Sequence, residues 1–260
     1  MLKRTEGIVL KTTVFGEADL IVVFLTKEFG IMRGFAKSPR KIKSRFGSSL
    51  EPLTYSRLSF MGKEGSNLPR ITQSDIIKPF NSIREDYRSF LKAAEIIDLA
   101  LRFLPEREPH PELFKLMLDT LAGLGRERDS RLGYLYYKIK FLQIAGLAPR
   151  LDMCGRCGCG LSAIRSVCNG MKHIFYVSHG TVICSDCGRD SGQAVHISEG
   201  ALRFYASLLK WPVMSLDRIK APDIFIRDLG FAIDSHIRHV LGSGPVSAET
   251  VIHKIISAEA

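Results

Sequence analysis

The chain has 260 residues, 45% of them apolar and 25% charged, enough to bury one large core or two to three smaller ones. Its longest apolar run, Leu20 to Leu25, is far short of the roughly 18–20 residues that span a bilayer, and Thr5, Glu6 and Lys11 interrupt any signal-peptide layout, so a soluble cytoplasmic protein is expected. A net charge of +10 points to an anionic partner, nucleic acid before membrane surface, and residues 1–80 hold 14 Lys/Arg against 7 Asp/Glu, or +7 of the excess.

The N-terminal region has strand character. Ile8 to Leu10, Leu20 to Leu25, Ile31 to Ala36, Leu53 to Met61 and Ile71 to Ile77 are apolar or alternating runs. Turn signals separate them at Phe15-Gly16-Glu17, Phe29-Gly30, Gly47 to Pro52 and Gly62 to Asn67. Five short strands predict a small closed barrel, either an oligonucleotide/oligosaccharide-binding (OB) fold or an SH3-like barrel.

Between the third and fourth strands, Lys37 to Arg45 carries the cations Lys37, Arg40, Lys41, Lys43 and Arg45 and no acid. Such a loop can follow a phosphate backbone, although a charge run is also what an ordinary solvated loop looks like. Alternation puts Ile31, Arg33 and Phe35 on one side of the third strand and Leu53, Tyr55 and Arg57 on one side of the fourth. Aromatics interleaved with arginines suit single-stranded nucleic acid; Phe35 and Tyr55 could equally fill the barrel core.

The period then switches. Ser82 and Glu85 have capping-box spacing, and Ile83, Tyr87, Leu91, Ala94, Ile97, Leu101 and Leu104 predict one helix of about five turns, ended by Pro105. A second helix starts near Pro111 with Leu113, Leu116, Met117, Thr120, Leu121 and Leu124 on one face. A third runs from Ser130 to a stop at Gly146. Helices resume after the cysteine-rich stretch: one capped by Ser198 and closed by Trp211-Pro212, one from about Asp223 to Leu241, and a last one following Ser247. The predicted domains are 1–80, a helical domain in two parts at 81–148 and 196–260, and a module at 149–195 inserted into it.

That module holds Cys154-Gly-Arg-Cys157-Gly and Cys184-Ser-Asp-Cys187-Gly, with short strands expected at Ile164 to Val167 and across Phe175 to Ile183. Two residues between thiols let a tight turn aim both at one ion, and the following glycine permits the positive φ such a knuckle commonly takes. The pattern is a zinc ribbon with Cys154, Cys157, Cys184 and Cys187 as ligands of one structural Zn²⁺. Four thiolates close the tetrahedron and leave no position for catalysis. Cys159, Cys168, His173 and His179 are the competing ligands. No phosphate-binding glycine loop, nucleophile elbow or paired-carboxylate spacing occurs, which lowers the expectation of an enzyme.

Glu6-Gly-Ile-Val-Leu10-Lys, Phe15-Gly-Glu-Ala-Asp-Leu20, Thr26-Lys-Glu-Phe-Gly30, Gly47-Ser-Ser-Leu-Glu-Pro52, and Gly146-Leu-Ala-Pro-Arg150-Leu-Asp152 ahead of the two knuckles resemble the bacterial DNA-repair family RecO in that order. The resemblance implies an α+β protein: an N-terminal five-stranded OB barrel, then a helical domain with an inserted four-cysteine zinc ribbon. It implies a non-enzymatic recombination mediator that binds single- and double-stranded DNA and anneals complementary strands. With RecR, and in some pathways RecF, such proteins help RecA displace single-stranded DNA-binding protein. Carried onto this chain, the DNA contacts are Arg33, Lys37, Arg40, Lys41, Lys43, Arg45 and Arg57. The alternatives are a zinc-ribbon nucleic-acid processing enzyme and an RNA- or ribosome-associated OB-fold protein.

Overall fold

The first strand, β1 (Leu2–Phe15), is much longer than the apolar core Ile8 to Leu10 from which the sequence predicts it. Apart from the buried Thr5, its polar side chains are exposed or half-buried, and their hydrophilicity masks a strand that pairs with two neighbours. The computed structural model describes residues 1–40, 44–63, 65–124, 130–160, 173–184, 187 and 192–242. β2 (Asp19–Thr26), β3 (Gly30–Ala36), β4 (Tyr55–Met61) and β5 (Arg70–Lys78) complete a closed barrel in the order β1-β2-β3-β5-β4. β1 is antiparallel to both β2 and β4, whereas β3 meets β5 in parallel at Phe35–Arg70 and Ala36–Ile71. A simple meander would pair β3 with β4. The crossover is the Greek-key closure of an OB barrel, which decides against the SH3-like alternative.

The barrel core is Val9, Val22, Phe24, Met32, Ala36, Leu58, Phe60 and Ile71, joined by Phe46 and Leu50 from the β3–β4 connection. Leu53 adopts φ 60° and belongs to the turn ahead of β4 rather than to the strand.

The expected five-turn helix is two. α1 (Asn81–Glu85) ends at Asp86, whose extended backbone restarts the chain as α2 (Tyr87–Phe103). The Asp86 carboxylate accepts from the Ser89 N–H at 2.9 Å, an N-cap that outcompetes continuation of the helix. The Ser82/Glu85 capping box is not used, because the residue before α1 is Phe80 in the left-handed region and it makes no side-chain cap. α3 (Pro111–Leu124) buries Leu113, Leu116, Met117, Thr120, Leu121 and Leu124, the face its periodicity predicts.

The segment linking α2 to α3 docks on the start of β3. The Arg107 N–H donates to the Ile31 carbonyl at 2.8 Å, and Glu106 bridges to Ile31 in parallel. Gly30, at φ 62°, allows this approach: a Cβ there would lie inside the van der Waals shell of the Glu108 carbonyl. Gly30→Ala is therefore expected to cost at least about 2 kcal/mol, combining left-handed strain with a backbone clash. A urea melt with an unshifted midpoint would contradict this.

By Cα proximity the described residues form two units, one up to residue 124 and one from residue 130. In the second, α4 (Ser130–Ile144), α5 (Glu199–Lys210) and α6 (Asp223–Val240) pack on one another. Between α4 and α5 lies a four-stranded sheet, β6 (Arg150–Cys154), β7 (His173–Tyr176), β8 (Thr181–Ile183) and β9 (Ala194–Ile197), in the order β6-β8-β7-β9. The Phe175–Ile183 stretch is a hairpin whose strands are separated by a 3-10 turn at Val177–His179. Gly146, at φ 71°, stops α4 as expected. Ser198 takes the N-cap backbone of α5 without a side-chain cap, and its buried hydroxyl has no hydrogen-bond partner among the described residues. The predicted strand at 164–167 and the helix after Ser247 lie outside the described residues.

Candidate nucleic-acid interface and metal centre

The barrel's outer surface follows from its register. With Val22 and Phe24 in the core, Ile21 and Val23 point outward. Val23 sits between Lys11 and Arg33, and Ile21 between Thr13 and Phe35, which in turn neighbours Arg70 on β5. Phe15 closes the row: its ring meets Phe35 edge to face at 6.0 Å and 89° while remaining 52% exposed. Phe35 is thus outside the core, part of a face that adds Lys11, Phe15 and Arg70 to the residues singled out by strand alternation. Lys11 and Phe15 lie in stretches the sequence marks as turn or family signals, but only the cross-strand register places them and Arg70 on this face.

The basic loop begins beside this face. The Ser38 N–H donates to Asp19 Oδ1 at 2.6 Å, the Arg40 N–H to the Ala18 carbonyl at 3.4 Å, and the Arg40 guanidinium to the Glu17 carbonyl at 3.3 Å. These bonds tie the start of the loop to the β1–β2 hairpin that carries Phe15. Lys37 and Arg40 are exposed, and Arg45 lies 4.9 Å over the ring of Phe46. Lys41 and Lys43 lie outside the described residues.

Two predicted contacts are ion-paired. Arg33 reaches Glu106 at 2.7 Å, and Arg57 reaches Glu6 at 3.6 Å. Exposed pairs of this kind contribute little, so a phosphate competes readily for Arg33. Arg57 is differently placed. On β4 it faces Glu6 on β1 and Asp75 on β5, and β5 separates β4 from β3. The two strand faces marked by alternation are therefore separate surfaces, because strands adjacent in sequence are not adjacent in the barrel. Tyr55 is neither core nor free. It packs against Phe114 of α3 at 6.1 Å and donates to Glu6 at 2.5 Å. Burial first, and the Glu6 carboxylate second, push its hydroxyl up to about 12.

In the second unit, β6 and β8 are parallel neighbours, with Arg150 opposite Thr181 and Cys154 opposite Val182. Their C-terminal ends therefore emerge side by side, one at Cys154 and the other just before Cys184. The thiols of Cys154, Cys157, Cys184 and Cys187 all lie within 4.8 Å of one another. A tetrahedral ion with bonds of about 2.3 Å needs sulfurs about 3.8 Å apart, and Cys157 to Cys184 measures 3.6 Å. The donor set fits a closed tetrathiolate site.

The knuckle backbone supports it. The Cys184 N–H donates to Cys154 Sγ at 3.3 Å, the Gly158 N–H to the Cys154 carbonyl at 2.9 Å, and Gly158 takes φ 72°. Burial opposes ionisation of Cys154, but N–H donors from Cys157, Cys184 and Arg156 outweigh it and bring the thiol down to about 6. Gly188 lies outside the described residues. Cys154 and Cys184 are buried with Tyr176 and Ile183 in a small cluster at this end of the sheet.

Among the competing ligands, Cys159 places its sulfur 3.2 Å from Cys157 yet falls outside the four-thiol set. His173 is buried in β7, and the His179 ring contacts the Ser178 hydroxyl, so neither joins the set. Cys168 lies outside the described residues. No described helix is long and apolar enough to cross a membrane.

Comparison with known proteins agrees with this architecture. Residues 1–80 match the family model for the N-terminal region of recombination protein O, and residues 84–249 match that for its C-terminal region. The chain is 43% identical to the DNA repair protein RecO of Thermodesulfovibrio yellowstonii, covering 92% of this chain and 93% of that protein. It is 31% identical to the RecO protein of Dehalococcoides mccartyi strain 195 (93% and 92% covered) and 38% to that of Frankia casuarinae (80% and 81%). Both halves of the chain, the OB barrel and the helical region carrying the four-thiol ribbon, therefore make it a member of the RecO family.

Proposed function

We propose that this protein is a non-enzymatic, DNA-binding recombination mediator that anneals complementary strands and helps load RecA onto single-stranded DNA coated with single-stranded DNA-binding protein. The observation that carries the reading is the barrel face of Lys11, Phe15, Arg33, Phe35 and Arg70, continuous with a basic loop tied to its hairpin. Bases stack on the rings while cations take the phosphates, and neither interaction requires a covalent step. RecR, and in some pathways RecF, are the proposed protein partners, and the nucleoid the place of action.

The DNA contacts are Arg33, Lys37, Arg40, Lys41, Lys43 and Arg45. Arg57, opposite Glu6 and Asp75 on another part of the barrel, is the remaining proposed contact. The four thiols hold one Zn²⁺, the ion that an all-thiolate tetrahedron favours, and its role is to fasten the ribbon.

Annealing of protein-coated complementary strands, with and without this chain, tests the reading directly. Phe35→Ala is expected to weaken single-stranded DNA binding about tenfold at fixed salt, as loss of one stacking platform does, while leaving the melting temperature unchanged because the ring is outside the core. Unaltered affinity would remove the barrel face from the interface. Magnesium-dependent cleavage of the labelled strands would instead favour a processing enzyme, and tighter binding to RNA than to DNA would favour an RNA-associated protein.

A further inference from the structure

One end of the barrel opens into a cavity of about 530 Å³ that shares Arg33 with the outer-face interface but is otherwise separate from it. Its floor is apolar: Met32 lines it beside Phe29 and Phe60, whose rings meet edge to face at 5.4 Å and 84°. Its rim is cationic. Lys3 Nζ sits 5.4 Å from the Phe29 ring centre, and Lys63 and Arg107 line the opening from the β4–β5 loop and the α2–α3 link. Among the described lining residues Glu28 is the one carboxylate, and its Oε2 already accepts from the Thr5 hydroxyl.

The opening is built rather than incidental. Arg107 holds φ 68°, an uncommon conformation for a residue with a side chain, and its guanidinium donates to the Gly65 carbonyl at 3.1 Å and the Ser66 carbonyl at 2.5 Å. It thereby clasps the β4–β5 loop over the cavity mouth while its own N–H bonds β3. Arg33 belongs both to the cavity lining and to the outer face of β3, so a strand lying on that face passes the mouth.

We propose that this cavity takes one unstacked nucleotide of a single strand, its base against Phe29, Met32 and Phe60 and its phosphate at Lys3, Lys63 and Arg107. The inference rests on the DNA-binding reading above and adds a means of strand discrimination. A base held in a duplex is stacked and paired and cannot enter; a base in a single strand pays only unstacking. The pairing of an apolar, aromatic floor with a cationic rim matches a flat heterocycle bearing an anion. An acidic peptide would satisfy the rim and could fill the floor only through an aromatic side chain, an occupant that would leave 2-aminopurine in a single strand dark.

The test uses the intact protein and oligonucleotides carrying one 2-aminopurine, whose emission rises when the base leaves its neighbours' stack. Binding is followed in parallel by anisotropy. The expected result is brightening with the single strand and none with the duplex. Phe29→Leu, which keeps apolar volume but removes the π face, should abolish the signal and weaken single-strand affinity about tenfold. The double variant K3A/K63A changes exposed side chains and should also lose the signal, which keeps the test decisive if Phe29→Leu misfolds. Undiminished brightening in both variants, or tight binding by the parent protein with no brightening, would overturn the cavity assignment and leave DNA binding intact. No binding to any oligonucleotide would overturn the functional reading itself.

Discussion

Replacement of Cys184 by serine should reduce bound zinc from one equivalent to nearly none and unfold the ribbon while sparing the barrel. Cys184 is 5% exposed, its thiol belongs to the four-thiol set, and its N–H supports Cys154. The substitution therefore removes a ligand and disturbs a second one. Structural zinc contributes on the order of 10–16 kcal/mol of apparent binding free energy in small zinc modules, comparable to the whole stability of a typical domain. Phe175, Val182 and Ile197 are buried elsewhere in the sheet, but at the knuckle end Cys154 and Cys184 pack with Tyr176 and Ile183 in a small cluster that depends on the shared ion.

Hydrogen exchange should show lost protection in β6, β7 and β8 and retained protection in β1 to β5. Prolonged chelation of the parent protein should produce the same map. Full zinc retention, or equal loss of protection in the barrel, would contradict the assignment of the ion to the ribbon alone.

Neutralising Lys37, Arg40, Lys41 and Lys43 together should lower the slope of log affinity against log salt by about 3 for single-stranded DNA, since each phosphate contact contributes roughly 0.7. The loss of affinity should be large at low salt and shrink as salt rises. The backbone bonds that anchor the loop, from the Ser38 and Arg40 N–H groups, survive alanine substitution, so the barrel itself is expected to melt normally. Titrations of parent and variant at several salt concentrations decide the matter. An unchanged slope would remove the loop from the interface.

Much of the fold was legible because the chain obeys its periodicities. The buried face of α3 is the one its three- and four-residue spacing marks, and four of the five barrel strands lie close to their apolar or alternating runs. The misreadings have identifiable physical causes. Polar outward-facing residues hid most of β1, and a single side-chain cap from Asp86 divided a helix whose apolar stripe runs on without a break. Strands β6 and β9 escaped notice because four or five residues beside a metal knuckle carry too short a pattern to stand out.

Local spacing alone marks the four-thiol module and the regional basic charge, because two Cys-x-x-Cys pairs and a run of cations carry their chemistry in adjacent residues. It also determined the class of architecture, a barrel of short strands followed by amphipathic helices. Which residues share a surface depends instead on how the strands pair. The parallel contact of β3 with β5 moved Arg57 away from Arg33 and brought Arg70 beside Phe35; parallel β6 and β8 carried Cys154 and Cys184 to one end of a sheet. The reason is that local pattern specifies which way a side chain faces along its own strand, whereas the identity of its neighbours depends on long-range pairing, which no local spacing encodes.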